Sequence, residues 1–193
     1  MKEKTITHKD IEFIVNEEGA IVYMEGKADE IFIPSVFPDG TRVTCLGFSF
    51  CHLYDTCSKL VVDNEISIIV DGAFRNSDVL DVVWPSSCEK IPPSCFNGSN
   101  IRKIHNIDHV VEVGNSAFAD SGIEEIVWPS SCDIIPSNCF LGSTLRSITN
   151  IDHVRVVDVA AFGKTFLNDE TNKNAINFPY YMPYSMIEDA FKR

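Results

Sequence analysis

The stretch WPSSCEKIPPSCFNGS at residues 84–99 recurs 44 residues later as WPSSCDIIPSNCFLGS at 128–143. Interleaved with it, NIDHVVEVGNSAF at 106–118 recurs as NIDHVRVVDVAAF at 150–162. Overlaid, the two kinds of segment share a finer period. Phe74, Phe96, Phe118, Phe140 and Phe162 follow one another every 22 residues. Other columns keep that register: Leu60, Val82, Ile104, Ile126 and Ile148; Ile69, Ile91, Val113, Ile135 and Val157; Ile66, Cys88, Val110, Cys132 and Val154. A small residue precedes each Phe (Ala73, Cys95, Ala117, Cys139, Ala161), and a hydroxyl follows three residues later (Ser77, Ser99, Ser121, Ser143, Thr165). A unit of 22 residues is too short to bury its own apolar face. Units of this length must stack, so that the columns become ladders through one shared core. The unit of duplication is a pair of unlike coils.

Around the Phe column, local structure follows from residue type. Ile104-His105-Asn106 and Ile126-Val127-Trp128 read as short strands, paired in parallel with the next coil at about 4.8 Å. Gly and Ser after each Phe mark the turn back. The small residue before it lets one backbone pass close to the next. Trp84 and Trp128 share a column with Asn106 and Asn150, two positions from the core Ile. That spacing points inward on a strand: Trp packs inside, flanked by Asn bonding the neighbouring backbone. The alternative is an exposed aromatic ladder that binds a ligand.

Ile123, Ile126, Trp128, Pro129, Cys132, Ile135, Pro136, Cys139, Phe140, Ser143 and Leu145, together with Val113-Gly114 and Ala117-Phe118 of the other coil type, carry a resemblance to the BspA-like (Treponema pallidum-type) leucine-rich repeats. EFIVNEEGAIVYMEG followed by IFIPSVFPDGTRVTCLGFSF resembles the opening hairpin and first coil of such domains. The likeness covers roughly residues 11–165. It departs in Pro for Gly at 92 and 136, in Ser for the late Cys, and in a 22-residue rather than a 23-residue unit. The resemblance implies a right-handed, gently curved, β-rich (α/β) solenoid used for adhesion or interaction. It implies no catalytic residues, so the chain is expected not to be an enzyme. The WPSSC and NIDHV variant resembles forms from gut bacteria and their phages.

Three parts are expected: an N-terminal β-hairpin cap at 1–35, the solenoid at 36–165, and a C-terminal cap or docking segment at 166–193. Asn16-Glu17-Glu18-Gly19 marks the hairpin turn. A cap is needed because a solenoid end exposes core and an unpaired strand edge. Residues 36–59 read as an irregular first coil. After Phe162 the register reads as failing, through a polar loop, GKTFLNDETNKN. Beyond it Met186, Ile187, Ala190 and Phe191 have helical spacing, and Tyr180, Tyr181 and Tyr184 are candidates for docking.

Acidic residues outnumber basic ones 28 to 16, for a net charge of -12. That field repels phosphate backbones and anionic lipid, which argues against nucleic acid and bilayer partners. The start, MKEKTITHKDIEF, lacks the apolar core of a secretory signal, and no apolar run approaches the ~20 residues needed to span a bilayer. Seven cysteines without an export signal suggest free thiols in a reducing compartment. A cytoplasmic location is therefore expected, with a virion or surface location if a leader was removed.

Catalytic and metal chemistry find no footing. Cys88 and Cys132, like Cys95 and Cys139, lie two coils apart. At about 10 Å they exceed the ~7 Å Cα limit for a disulfide, and they share apolar columns with Val and Ala. They read as buried thiols; a Cys51–Cys57 bridge is conceivable only in an oxidising setting. His109 and His153, beside Asp108 and Asp152, are too far apart to share one ion and read as a repeated surface turn capped by Asp. No CxxC pair, HExxH, GxSxG or phosphate loop occurs. No cofactor is expected.

The outward strand positions are the candidate binding surface: Lys59 and Val61, Asp81 and Val83, Lys103 and His105, Glu125 and Val127, Ser147 and Thr149. Mixed charge with a thin apolar stripe suits a protein or glycan ligand. The alternative, from another class, is a structural component of a virion or surface layer, docked through the C-terminal segment. Monomer and homo-oligomer are both open.

Overall fold

The computed structural model describes residues 3–48, 51–53, 57–168, 176, 178, 179 and 182–192. Near its start Ile11, Phe13 and Val15 are buried while the residues between them are half-buried. This alternation makes β2 (Ile11–Asn16) a strand with one core face. It pairs antiparallel with β3 (Ala20–Gly26) as the expected hairpin. Asn16 closes the turn, its Oδ1 accepting the Glu18 and Ala20 amides at 3.0 and 2.9 Å. A strand that the sequence reading missed, β1 (Glu3–His8), joins the outer edge of β2. Only Ile6 of β1 is buried, so it carries no alternation to read.

Six coils follow. Their first strands are β4 (Glu30–Ile33), β7 (Cys57–Val62), β9 (Val79–Val83), β11 (Lys103–His105), β13 (Glu125–Val127) and β15 (Ser147–Thr149). Their second strands are β5 (Cys45–Leu46), β8 (Ile68–Ile69), β10 (Lys90–Ile91), β12 (Glu112–Val113), β14 (Ile134–Ile135) and β16 (Val156–Val157). β6 (Cys51–Leu53) and β5 both pair with β3, which fuses the cap to the solenoid. Ladder neighbours between coils run parallel, as one-way winding requires.

The Phe column is one continuous stack. Successive rings from Phe74 to Phe162 lie 5.1, 5.4, 5.5 and 5.7 Å apart and within 11° of parallel. All five are fully buried, as are the small residues before them. The amide of each Phe from Phe74 to Phe140 donates to the carbonyl of the small residue in the next coil, Phe118 to Cys139 at 2.9 Å and Phe140 to Ala161 at 2.8 Å. The corner turns because the residues two before and two after each Phe are left-handed. Ser94, Ser116, Asn138 and Ala160 have φ of 54°, 57°, 56° and 55°; Asn76, Gly98, Asp120, Gly142 and Lys164 have φ between 52° and 71°. Non-glycine residues hold this costly conformation because the ladders on both sides over-determine it. The hydroxyl column has a local role: Ser99, Ser121 and Thr165 donate to the carbonyl of the Phe three residues earlier at 2.7–2.8 Å.

The register does not fail at Phe162. Leu167 is fully buried and continues the column Val79, Ile101, Ile123, Leu145. The polar composition of 163–175 hid one more apolar position. Beyond it α1 (Tyr184–Ala190) packs on the last coil. Ala160 and Phe162 donate to the Asp189 and Ala190 carbonyls at 2.9 and 2.8 Å. Phe191 sits 5.6 Å from Phe162. Ala190-Phe191 thus takes the place of a further coil's small–Phe pair, using carbonyls of the last helical turn.

Candidate functional site

Strand pairing brings the candidate surface residues into two rows. Lys59, Asp81 and Lys103 are register partners across β7, β9 and β11, and so are Val61, Val83 and His105. Glu125 pairs with Ser147 and Val127 with Thr149 across β13 and β15. β4 extends both rows with Glu30 and Phe32, which the sequence reading missed. Ile31-Phe32-Ile33 alternates as Leu60-Val61-Val62 does. The 29 residues between their register partners, in place of 22, concealed the likeness.

The two rows differ chemically. The first alternates in sign from Glu30 through Lys59, Asp81 and Lys103 to Glu125, so it neutralises itself. The second is apolar over much of its length. Phe32 is 42% exposed and Val127 56%, while Val61 and Val83 are half-buried. His105 reaches Asp81 across the strands, with Nε2 3.4 Å from Oδ2. The sheet stops between β11 and β13: among the described residues no ladder joins them. A cleft of about 450 Å³ opens there. Six of the ten candidate residues line it: Lys103, His105, Glu125, Val127, Ser147 and Thr149.

The Trp–Asn column resolves as alternating architecture. Trp84 and Trp128 are fully buried, and their Nε1–H groups donate to the Cys88 and Cys132 carbonyls at 2.9 Å. Asn106 and Asn150 are left-handed, with φ of 61° and 60°, and turn outward. Their Nδ2 groups donate to the Trp84 and Trp128 carbonyls of the preceding coil at 2.8 and 2.7 Å. His109 and His153 are half-buried and likewise bond backwards. His109 Nε2 lies 3.1 and 3.2 Å from the Pro85 and Cys88 carbonyls; His153 Nε2 lies 3.0 and 3.1 Å from those of Pro129 and Cys132. Both partners are acceptors, so Nε2 carries the proton. Each histidine ties its coil to the one before, which the reading as a surface turn did not foresee.

All seven cysteines are free, and six are buried. Burial pushes the thiols of Cys51, Cys88, Cys95 and Cys139 up, and that of Cys132 up to about 11, with Asp133 and Glu112 adding to the last. Neutral thiols at neutral pH are poor nucleophiles and poor metal ligands. No group of three or more ligating side chains is gathered at one place among the described residues. Tyr180 and Tyr181 lie outside the described residues, and so does the side chain of Tyr184, the first residue of α1. No helix among the described residues is long and apolar enough to cross a membrane.

Six copies of the BspA type leucine rich repeat region match residues 48–181. A comparison with curated proteins found no match. Among solved structures the chain is similar to a leucine rich cell surface protein from Faecalibacterium prausnitzii. The TM-score is 0.58 at 18% identity, over 86% of this chain and 47% of that one. It is also similar to a leucine-rich repeat protein from Bacteroides ovatus, with a TM-score of 0.52 at 15% identity, over 86% and 56%. The chain thus spans about half the length of these relatives. At these identities the likeness is one of fold alone. Given that architecture and the six matched repeats, the chain belongs to the BspA-type leucine-rich repeat family.

Proposed function

We propose that the protein is a non-catalytic interaction module that binds a protein or glycan through the face formed by its first strands. The observation that carries this reading is the outward row Phe32, Val61, Val83 and His105, held in register by one set of ladders, and continued past the cleft by Val127 and Thr149, held in register by another. A half-apolar stripe beside a self-neutralising charged row offers contact area without a single-sign field. The cleft at its middle gives a ligand something to enter. Docking through the C-terminal segment has less support, because Met182, Ala190 and Phe191 are buried in the shared core. Since six of the seven thiols are buried and the seventh, Cys45, is free, this reading suits an oxidising exterior as well as a reducing interior.

The test is the double substitution Val83→Arg with Val127→Arg. Neither side chain is fully buried, so folding is expected to survive, as circular dichroism would show. Capture of partners from a native extract, and binding to an immobilised glycan panel, are expected to be lost. Retained binding by the folded variant removes this face from consideration.

A further inference from the structure

We infer that the solenoid flexes at one place, the junction between the coils of β11–β12 and β13–β14, with the Phe corner as the hinge line. Within each Trp–Asn pair of coils both ladders are closed. β9 pairs with β11 and β10 with β12; β13 pairs with β15 and β14 with β16. Asn, His and Trp side chains add bonds inside each pair. Between the two pairs, neither β11 and β13 nor β12 and β14 are joined. It is the one coil junction among the described residues where both ladders stop: at β7–β9 the first ladder is closed although the second is open.

Two sequence features open it. Inside the pairs, Gly114 donates to Ile91 at 2.8 Å and Asp158 to Ile135 at 2.9 Å. The equivalent donor to Val113 belongs to Pro136, which has no N–H. On the other side, left-handed Asn106 turns the chain out of β11. In a parallel ladder alternate residues bond to opposite neighbours. β9 and β15 use the alternate set on each strand, so the N–H and C=O groups of Ile104, Glu125 and Val127 face the gap. Ile104 is accordingly half-buried, where Leu60, Val82, Ile126 and Ile148 of its column are buried. The corner, by contrast, stays closed across the junction. Ser116, Phe118 and Asp120 donate to Ser137, Cys139 and Leu141 at 3.0, 2.9 and 2.7 Å. A body tight along one edge, with no strand ladder along the other two and only the weak Cys132 thiol contact to the Val110 carbonyl at 3.4 Å, bends about that edge. The flexure itself stands without the proposed function. If that reading holds, bending changes the separation of Lys103 and His105 from Glu125 and Val127, and so the shape of the binding face.

The test uses the full chain in solution by NMR. The Val127 amide is expected to exchange at least tenfold faster than that of Thr149, its register partner in the closed ladder. Residual dipolar couplings of residues 79–113 and 125–157 are expected to need two alignment tensors of different magnitude. Val127 as well protected as Thr149, or one tensor for both bodies, overturns the inference. Neither readout involves a ligand, so failure of the binding reading leaves this one standing, and the reverse.

Discussion

At the scale of single residues, the buried columns select for shape and neutrality. Cys132 stands in a column with Val110 and Val154 and is 3% exposed. Its thiol donates weakly to the Val110 carbonyl at 3.4 Å. Its pKa is raised from 9.0 to about 11, burial being the largest cause. A raised folded-state value means that stability is full below the unfolded-state value of 9.0 and is lost as pH rises through about 11. The denaturation midpoint is expected to fall over that window. Cys132→Val restores the residue its column carries elsewhere. It should cost under about 1.5 kcal/mol at neutral pH, and should remove up to about 1.4 kcal/mol per pH unit of the alkaline loss. Urea titrations of both proteins at pH 7 and pH 10 check this; parallel losses in the two would dissociate Cys132 from the effect.

At the scale of elements, the last helix works by imitation. α1 has only seven residues and no side-chain cap at its start, so it has little stability of its own. What holds it is the corner it completes: the Asp189 and Ala190 carbonyls take the amides of Ala160 and Phe162, and the Phe191 ring meets that of Phe162. Phe191→Ala removes the ring and leaves the carbonyls in place. It is expected to cost about 3 kcal/mol and to speed amide exchange at Ala160 and Phe162 while leaving Phe96 protected. Unchanged exchange at Phe162 would mean that the helix rests on the coil without supporting it.

At the scale of the whole molecule, each coil touches only its neighbours, so stability is a sum of local and nearest-neighbour contributions. Phe118 stacks on Phe96 and on Phe140, and Phe162 on Phe140 from within the repeat. Phe118→Ala should therefore cost about 3–5 kcal/mol and loosen both sides, with faster exchange at the Phe96 and Phe140 amides. Phe162→Ala should loosen Phe140 and spare Phe96. Equal acceleration of both amides by both variants would show one indivisible core instead of a chain of coupled coils.

The amino-acid sequence determined the repeat, the inward columns and the parallel winding, because each is a periodic consequence of burying one face, and a period survives in the order of residues. Phe96 and Cys139 could be placed in the core from their spacing alone. So could the outward positions such as Val83 and Val127, which are what a strand leaves over once its inward set is known. What only the tertiary structure decided was aperiodic. β4 joins the sheet across a 29-residue interval. Ala190-Phe191 closes the corner from a helix rather than a coil. The gap between β11 and β13 exists because Asn106 is left-handed, and the one between β12 and β14 because Pro136 lacks a donor. Each of these depends on which backbone groups meet across coils far apart in the chain, and such meetings leave no period to read.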